Sequence, residues 1–567
     1  MSAMETPQMT TNYHNMNGDS ENIMDENKKG KDFDLSDGSS DLLRHATTMA
    51  SHSSVPSRSD PLALEKTVSI AHQMSLPKEI AFVALLCSAQ FTTQLGLVNT
   101  LSILHVIGSD LNITNPGVLS WLIAGYSLTV GSFILISGRF GDMFGYKRML
   151  IIGYSWFALW SLVSGLSVYV GGKNGGSVLF IWARVLSGIG PAINMPNAVA
   201  LLGVSYPPGP RKNMVFSLFG ACAPSGAVVG GAFAGLWSLL WWPWAFWSCA
   251  IAMIGLALLS VWILPHVPLK PEIQNLTFKE KMKELDLVGA TVGVTALILV
   301  NFAINQAPGF GWHYSYIYVL LILGLLMFPV FFWVEIKVAI MPLIPLDALS
   351  TDVSFVLGCI ACGWASFGIW IYYYYQFLEV LRSQTPLLTV AQFSPAAISG
   401  LIAAVTTGQV IGRLGPGWVM FASMIAFLVG SILLATAPIH QTYWAAIFMA
   451  TIIMPWGMDM SFPAGTLILS DAVSKEHQGV AASLVNTVVN YSISIGVGLA
   501  GTVEVHINPT GTGKVELLKG YRSALYLAVG LSALGVVVAA LFLLKTYIRE
   551  RRVDSKEDEG WMSEKAA

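Results

Sequence analysis

Asp459 is the side chain in this sequence with the clearest capacity for chemistry. It stands in Met454-Pro455-Trp456-Gly457-Met458-Asp459-Met460-Ser461-Phe462-Pro463, near the middle of an apolar run that two prolines loosen. A carboxylate among apolar side chains can change charge by taking up a single proton. Asp459 is therefore a candidate proton carrier. The alternative is an acid locked to a cation, for which Arg184 is the natural partner. Arg184 lies in Ile181-Trp182-Ala183-Arg184-Val185-Leu186-Ser187-Gly188, also inside an apolar run. A charged residue at the centre of a membrane helix costs about 2.5–3.5 kcal/mol on insertion scales, so each of the two needs a function or a partner.

Uncharged polar residues recur on single helix faces. Gln90, Thr93 and Gln94 are spaced to share one face. Ser483, Asn486, Thr487, Asn490 and Ser494 form a second stripe on an otherwise apolar segment. Such stripes line a cavity for a small polar solute or pack between helices. Gln90, Gln94, Asn99, Asn194, Asn486 and Asn490 are the cavity candidates. Tyr372–Tyr375 is expected to be an aromatic belt at the membrane interface. Cys87, Cys222, Cys249, Cys359 and Cys362 all fall in apolar runs, so no disulfide framework is expected. The Cys359/Cys362 pair has no second pair at zinc spacing, and no metal or cofactor is expected.

These residues need membrane helices to hold them. Of 567 residues, 54% are hydrophobic and only 11% charged, against roughly 25% charged in soluble domains. A bilayer core is crossed by about 20 apolar residues. Runs of that length are expected near 80–105, 117–138, 149–170, 177–204, 213–237, 241–264, 286–304, 316–336, 353–378, 387–411, 416–437, 443–470, 478–504 and 523–547. The expectation is an all-α polytopic membrane protein with 14 transmembrane helices. Its parts are a disordered cytosolic tail at 1–77, a six-helix bundle at 78–264, a cytosolic linker at 265–285, two inserted helices at 286–336, a second six-helix bundle at 337–548 and a cytosolic tail at 549–567. The linker's charged stretch Phe278–Asp286 reads as a short surface helix.

Basic residues set the orientation. With both termini in the cytosol, Arg139, Lys147, Arg148, Arg211, Lys212, Lys270, Lys279, Lys281, Lys283, Lys337, Arg413, Lys475, Lys545, Arg549, Arg551 and Arg552 lie inside. Lys173, Arg382, Lys514, Lys519 and Arg522 lie outside, a ratio of about three to one. This topology puts the glycosylation acceptor Asn112-Ile113-Thr114 in the first outer loop. The net charge of −2 gives no reason to expect a nucleic-acid partner. No phosphate-cradling Gly-rich loop ending in Lys-Ser or Lys-Thr is present, which argues against ATP-driven pumping. No nucleophile–base pair marks an enzyme.

Between the second and third runs the chain reads Gly138-Arg139-Phe140-Gly141-Asp142-Met143-Phe144-Gly145-Tyr146-Lys147-Arg148. This resembles the major facilitator signature G-x-L-[AG]-D-x-x-G-[RK]-[RK]. Phe140 stands for Leu and Tyr146 for a basic residue. The resemblance implies a major facilitator fold and a loop that steadies one state of an alternating-access cycle, the role falling on Gly138, Gly141, Asp142, Gly145, Lys147 and Arg148. A weaker echo, Gly412-Arg413-Leu414-Gly415-Pro416, implies duplication and a 6+2+6 arrangement, which resembles the 14-spanning drug:proton antiporter branch. In the family an Arg placed like Arg184 takes part in proton coupling. Gly220, Pro224, Gly226 and Gly230 resemble the antiporter motif of the fifth span, and Gln94 stands where this branch usually carries an acid.

The stretches Gln94–Ile103, Gly131–Arg139, Asn305–Pro308, Gly457–Pro463 and Ser483–Ser492 are similar to the fungal aminotriazole-resistance group, which includes a boron exporter and a low-affinity ammonium transporter. The resemblance implies a plasma-membrane protein working as a monomer in the lipid bilayer. It would export small polar toxic compounds or drugs in exchange for protons. Uptake of a small nitrogen compound such as ammonium, export of a fungal secondary metabolite, and placement in a vacuolar membrane remain the alternatives.

Overall fold

The computed structural model describes residues 74–171, 175–207, 210–267, 271–339, 343, 351–472, 478–509 and 513–566. The expected tail at 1–77, as far as residue 73, and the loop residues Lys173, Lys270 and Lys475 lie outside the described residues. Among the described residues every regular element is helical. The first half comprises α1 (Leu76–Leu101), α2 (Leu104–Asp110), α3 (Pro116–Phe144), α4 (Tyr146–Leu166), α5 (Gly175–Ser187), α6 (Ile189–Ser205), α7 (Pro210–Ser238) and α8 (Pro243–Ile263). Two short helices follow, α9 (Pro271–Gln274) and α10 (Phe278–Glu284), then α11 (Leu287–Phe310) and α12 (Ser315–Lys337). The second half comprises α13 (Thr351–Gln376) with a π-helical end at Phe377–Leu381, α14 (Pro386–Phe393), α15 (Pro395–Leu414), α16 (Pro416–Thr436), α17 (Ala446–Ala472), α18 (Gln478–Ile507) and α19 (Lys514–Ala566).

Local chemistry sets the helix ends. α3, α8, α15 and α16 start with proline in their first turn, where the missing N–H costs nothing. Asn115 caps α3 by accepting from the Gly117 N–H at 2.9 Å. Gly145, Gly311 and Gly415 end α3, α11 and α15 at φ +96°, +98° and +81°, a region that favours glycine. The expected linker helix forms as α10. Thr277 and Glu280 close a capping box on it, and those hydrogen bonds hold the Glu280 carboxyl below its ordinary value. α19 runs on to Ala566, so helix continues through the stretch expected as a tail.

Thirteen helical stretches among the described residues are long and apolar enough to cross a membrane. The remaining expected span is α17, which has 27 residues. It carries Asp459, Pro455 and Pro463 in its interior.

The same pairings recur in the two halves. In the first, α1 packs on α7, α4 on α8, and α3 and α4 on α6. In the second, α13 packs on α18, α16 on α19, and α15 and α16 on α17. Two seams join the halves, α3 with α18 and α7 with α14 and α15. The inserted α11 lies against both α3 and α18 and carries α12 on its other side. Gly117 meets the backbone of Gly309 so closely that a β-carbon would not fit. Asn115 Nδ2 donates to the Gly309 carbonyl at 2.6 Å.

Candidate functional site

The centre of the molecule is a cavity of about 20 Å³, room for about one water. Gln94, Leu97 and Val98 of α1, Ala223, Pro224 and Ala227 of α7, Trp370 and Ile371 of α13, and Met454, Pro455 and Met458 of α17 are among its walls. Both seams are closed around it. Along α3 and α18, Gly138 faces Ser483, Gly131 faces the Tyr491 backbone, and Ser494 Oγ donates to the Ala124 carbonyl at 3.0 Å. Along α7 and its partners, Ser217 lies beside Gly408, Pro224 against Gly400, and Gly231 and Gly235 against Val390 and Leu387. This is an occluded arrangement.

Asp459 sits one residue beyond the cavity wall, at the junction of α7, α15 and α17. Its Oδ2 is buried with no hydrogen-bond partner among the described residues. It faces Gly400 and the Pro224 ring, so the central proline of the antiporter-like motif and the acid meet at one glycine. Gly226 and Gly230 of that motif instead press on the backbones of Phe91 and Leu95 in α1, while Gly220 faces open space. Small residues there let α1 and α7 touch.

Arg184 does not pair with Asp459. Its Nη2 donates to the Gly96 carbonyl at 2.7 Å, its Nε to the Leu122 carbonyl at 3.3 Å, and its guanidinium lies 4.5 Å from the centre of the Tyr126 ring. α1 and α3 thus supply its partners, inside the first half. The pairing weighed from the sequence is absent among the described residues.

The cavity candidates divide. Gln94 lines the centre. Gln90 is half-buried, with Oε1 unpartnered among the described residues. Asn99 Nδ2 donates to the Ala245 carbonyl at 3.2 Å and ties α1 to α8. Asn194 is buried against Gly153, between α4 and α6. Asn490 Nδ2 donates to the Asn486 carbonyl at 3.0 Å, one turn back, and both side chains are buried. Two other members of that stripe lie in the seam: Ser483 beside Gly138, and Ser494, which is bonded to Asn301 and Asn305 of α11.

In the signature loop Gly138 and Gly141 permit close packing, on Ser483 and on Asn197, and Gly145 supplies the positive φ. Asp142 and Arg148 are exposed. Asp142 Oδ1 accepts from the Tyr146 hydroxyl at 2.7 Å, so the residue standing in the basic position takes the acid. Lys147 Nζ donates to the carbonyls of Val261 and Leu264 at 2.8 and 2.7 Å, closing the end of α8. Asn112 and Thr114 are exposed in the loop before α3.

One expectation is corrected. Tyr372–Tyr375 do not form an interfacial belt, because the four side chains are 0–4% exposed and pack within the second half. Sequence reasoning also missed Glu504, whose Oε2 accepts from the Tyr373 hydroxyl at 2.6 Å, and His105, whose Nε2 donates to Gln376 Oε1 at 2.6 Å across the two halves. Both lie at the ends of apolar runs, where polar residues are ordinary and no spacing marks them out.

Two similarly paired helix sets around a central cavity, with an acid and an arginine buried inside, define a multi-pass membrane transporter. The chain belongs to the Major Facilitator Superfamily, whose family model matches residues 86–376 and 353–565. It is 51% identical over 502 residues to a low affinity ammonium transporter of Saccharomyces cerevisiae, covering 88% of this chain and 95% of that one. It is 46% identical over 482 residues to the efflux pump terJ of Aspergillus terreus, covering 84% and 90%. It is 39% identical over 481 residues to an aminotriazole resistance protein of Saccharomyces cerevisiae, covering 84% and 86%. Among solved structures, a POT family transporter in complex with 5-aminolevulinic acid has the same fold. That match has a TM-score of 0.57 at 14% identity and covers 82% of this chain and 95% of that one.

Proposed function

We propose that this transporter exports small polar compounds from the cytosol across the plasma membrane in exchange for protons, by alternating access. The observation that carries the reading is Asp459, a buried carboxyl oxygen at the α7–α15 seam with no hydrogen-bond partner among the described residues. An ionised carboxylate left unpaired in such a place is costly. The occluded state therefore suits the neutral acid, and loss of the proton favours a state in which the seam has parted and water reaches the group. Substrate contacts fall to Gln94 and the apolar cavity wall, with Asn486 and Asn490 exposed to it as the halves separate. Arg184 holds α1, α3 and α5 in register. The Gly138–Arg148 loop steadies one state on the cytosolic side, where both termini lie, and Asn112 carries a glycan in the first outer loop.

The efflux-pump and aminotriazole-resistance relatives support export. A second reading, low-affinity uptake of ammonium, is favoured by the 51% identical relative. Purified protein in liposomes with an imposed pH gradient separates the readings, with aminotriazole and methylammonium as probes. Export predicts gradient-driven aminotriazole movement that Asp459→Asn abolishes while the variant remains folded. Unchanged transport by Asp459→Asn sinks its assigned role. Methylammonium uptake indifferent to the pH gradient establishes the second reading instead.

A further inference from the structure

Glu504 lies near the end of α18 remote from the signature loop, within a membrane-spanning helix. Acids in such helices are rare and mark ion and proton pathways. Its surroundings are specific. The Tyr373 hydroxyl donates to Oε2 at 2.6 Å, and the Tyr373 ring lies 5.4 Å from that of Tyr521 and 5.2 Å from that of Tyr372. Gly520 packs on the Glu504 side chain. Among the described residues the titratable groups facing Glu504 are thus Tyr372 and Tyr373 from α13 and Tyr521 from α19, with no cation among them. His506, on its own helix, is exposed and two residues away, so it points to the opposite face.

The setting also connects with both the centre and the seam. Tyr372 and Gln376 stand one turn apart on α13, and Gln376 accepts from His105 of α2 across the two halves. On the other side, the Tyr374 ring lies 5.1 Å from that of Trp370, tilted by 32°, and Trp370 lines the central cavity. Glu504 itself is half-buried, whereas Tyr373 is fully enclosed.

We propose that Glu504 is a second proton-binding group of the transport cycle, loaded from the outer side of the membrane. The proton leaves hydronium or a buffer acid in the outer solution and bonds to a Glu504 carboxyl oxygen. Oε2 keeps its bond from Tyr373, and the negative charge beside three tyrosine rings disappears. The inference rests on the proton-coupled reading, and the test separates the two.

The experiment is infrared difference spectroscopy of the full chain in liposomes across a pH titration, following the carboxylic-acid C=O stretch. It is paired with aminotriazole transport at varied outer pH. Glu504→Gln is expected to remove one titrating C=O signal and Asp459→Asn a different one. Tyr373→Phe keeps the Glu504 signal but moves its midpoint. Wild-type transport is expected to depend more steeply on outer pH than transport by Glu504→Gln, the difference approaching about tenfold per pH unit, the share that one proton contributes. If Glu504→Gln leaves every C=O signal in place, or keeps the wild-type dependence on outer pH, the proposal fails. If wild-type transport ignores the pH gradient altogether, the coupled reading fails, whatever the spectra of Glu504→Gln. A variant that misfolds is recognised by its thermal melt, and Tyr373→Phe then decides the point: an unmoved midpoint overturns the assignment.

Discussion

Asp459 and Gly400 meet where α17 crosses α15. A β-carbon on Gly400 would lie 2.7 Å from Asp459 Oδ2 and 2.5 Å from Cγ of Pro224. The carboxyl group can turn aside, but the proline ring cannot. Gly400→Ala should therefore penalise the closed α7–α15 seam by about 1–3 kcal/mol, the usual cost of overpacking. At 1.4 kcal/mol per factor of ten, that lowers the occluded population by roughly 5- to 150-fold. Turnover in liposomes should fall while the melting of the protein changes little. Wild-type turnover in Gly400→Ala would show that this contact does not limit the cycle.

Arg184 and Asp459 act on separate halves, since Arg184 bonds the Gly96 and Leu122 carbonyls and lies over the Tyr126 ring. Lysine offers a point charge in place of a planar fork. Arg184→Lys is expected to cost about 2 kcal/mol of stability, the order of a lost charged hydrogen bond. With no shared partner, the effects of Arg184→Lys and Asp459→Asn on stability should add within about 0.5 kcal/mol. A double-mutant cycle in detergent measures this, and a larger coupling would mean that the two meet in another state.

Much of this was legible from particular residues. Runs of about 20 apolar residues declare spans because the bilayer demands them, and the echo of Gly138–Arg148 at Gly412–Pro416 announced two similar halves, whose turns share a positive-φ glycine at Gly145 and Gly415. Asp459 stood out because nothing else in its run is charged. What helical spacing could not say is which neighbour a polar face meets. Asn99 turns to α8, Asn194 to α4, and Ser494 to α3 and α11, because long-range packing decides each. The tyrosines of 372–375 were misplaced for the same reason: an aromatic cluster near a helix end looks alike whether it faces lipid or protein.

His105 gives a pH dependence with a definite sign. Burial holds this histidine below its ordinary value of 6.5 in the closed form, although its bond to Gln376 acts the other way. Once the seam opens and water reaches the ring, that ordinary value returns. Above about 6.5 the ring is neutral in both forms and favours neither. As outer pH falls below it, only the open form takes the proton, so the closed form loses relative stability by up to about tenfold per pH unit. Outer acid should therefore part the His105–Gln376 contact. Spin labels at Ser109 and Val515, one on each half, should move apart on acidification in the wild type and stay fixed in His105→Asn. Equal movement in both would exclude His105 as the sensor.

Gly145 and Gly415 hold matching turns, at φ +96° and ψ 130° and at φ +81° and ψ 154°. A β-carbon at either position meets no neighbour within 4 Å, so only the backbone resists a substitution. An L-residue in so sparsely populated a conformation costs about 1–3 kcal/mol. Gly145→Ala and Gly415→Ala should each lower thermal stability by that amount. Gly412→Ala is the control: it lies inside α15 with open space at its β-position, where replacing glycine by alanine in a helix gains roughly 0.5–1 kcal/mol. Gly145→Ala should in addition slow turnover, because Asp142 and Tyr146 flank that turn and its distortion breaks their 2.7 Å bond. Tyr146→Phe removes the same bond without strain. If turnover falls in Gly145→Ala but not in Tyr146→Phe, the loop works through its backbone shape and not through the acid it presents.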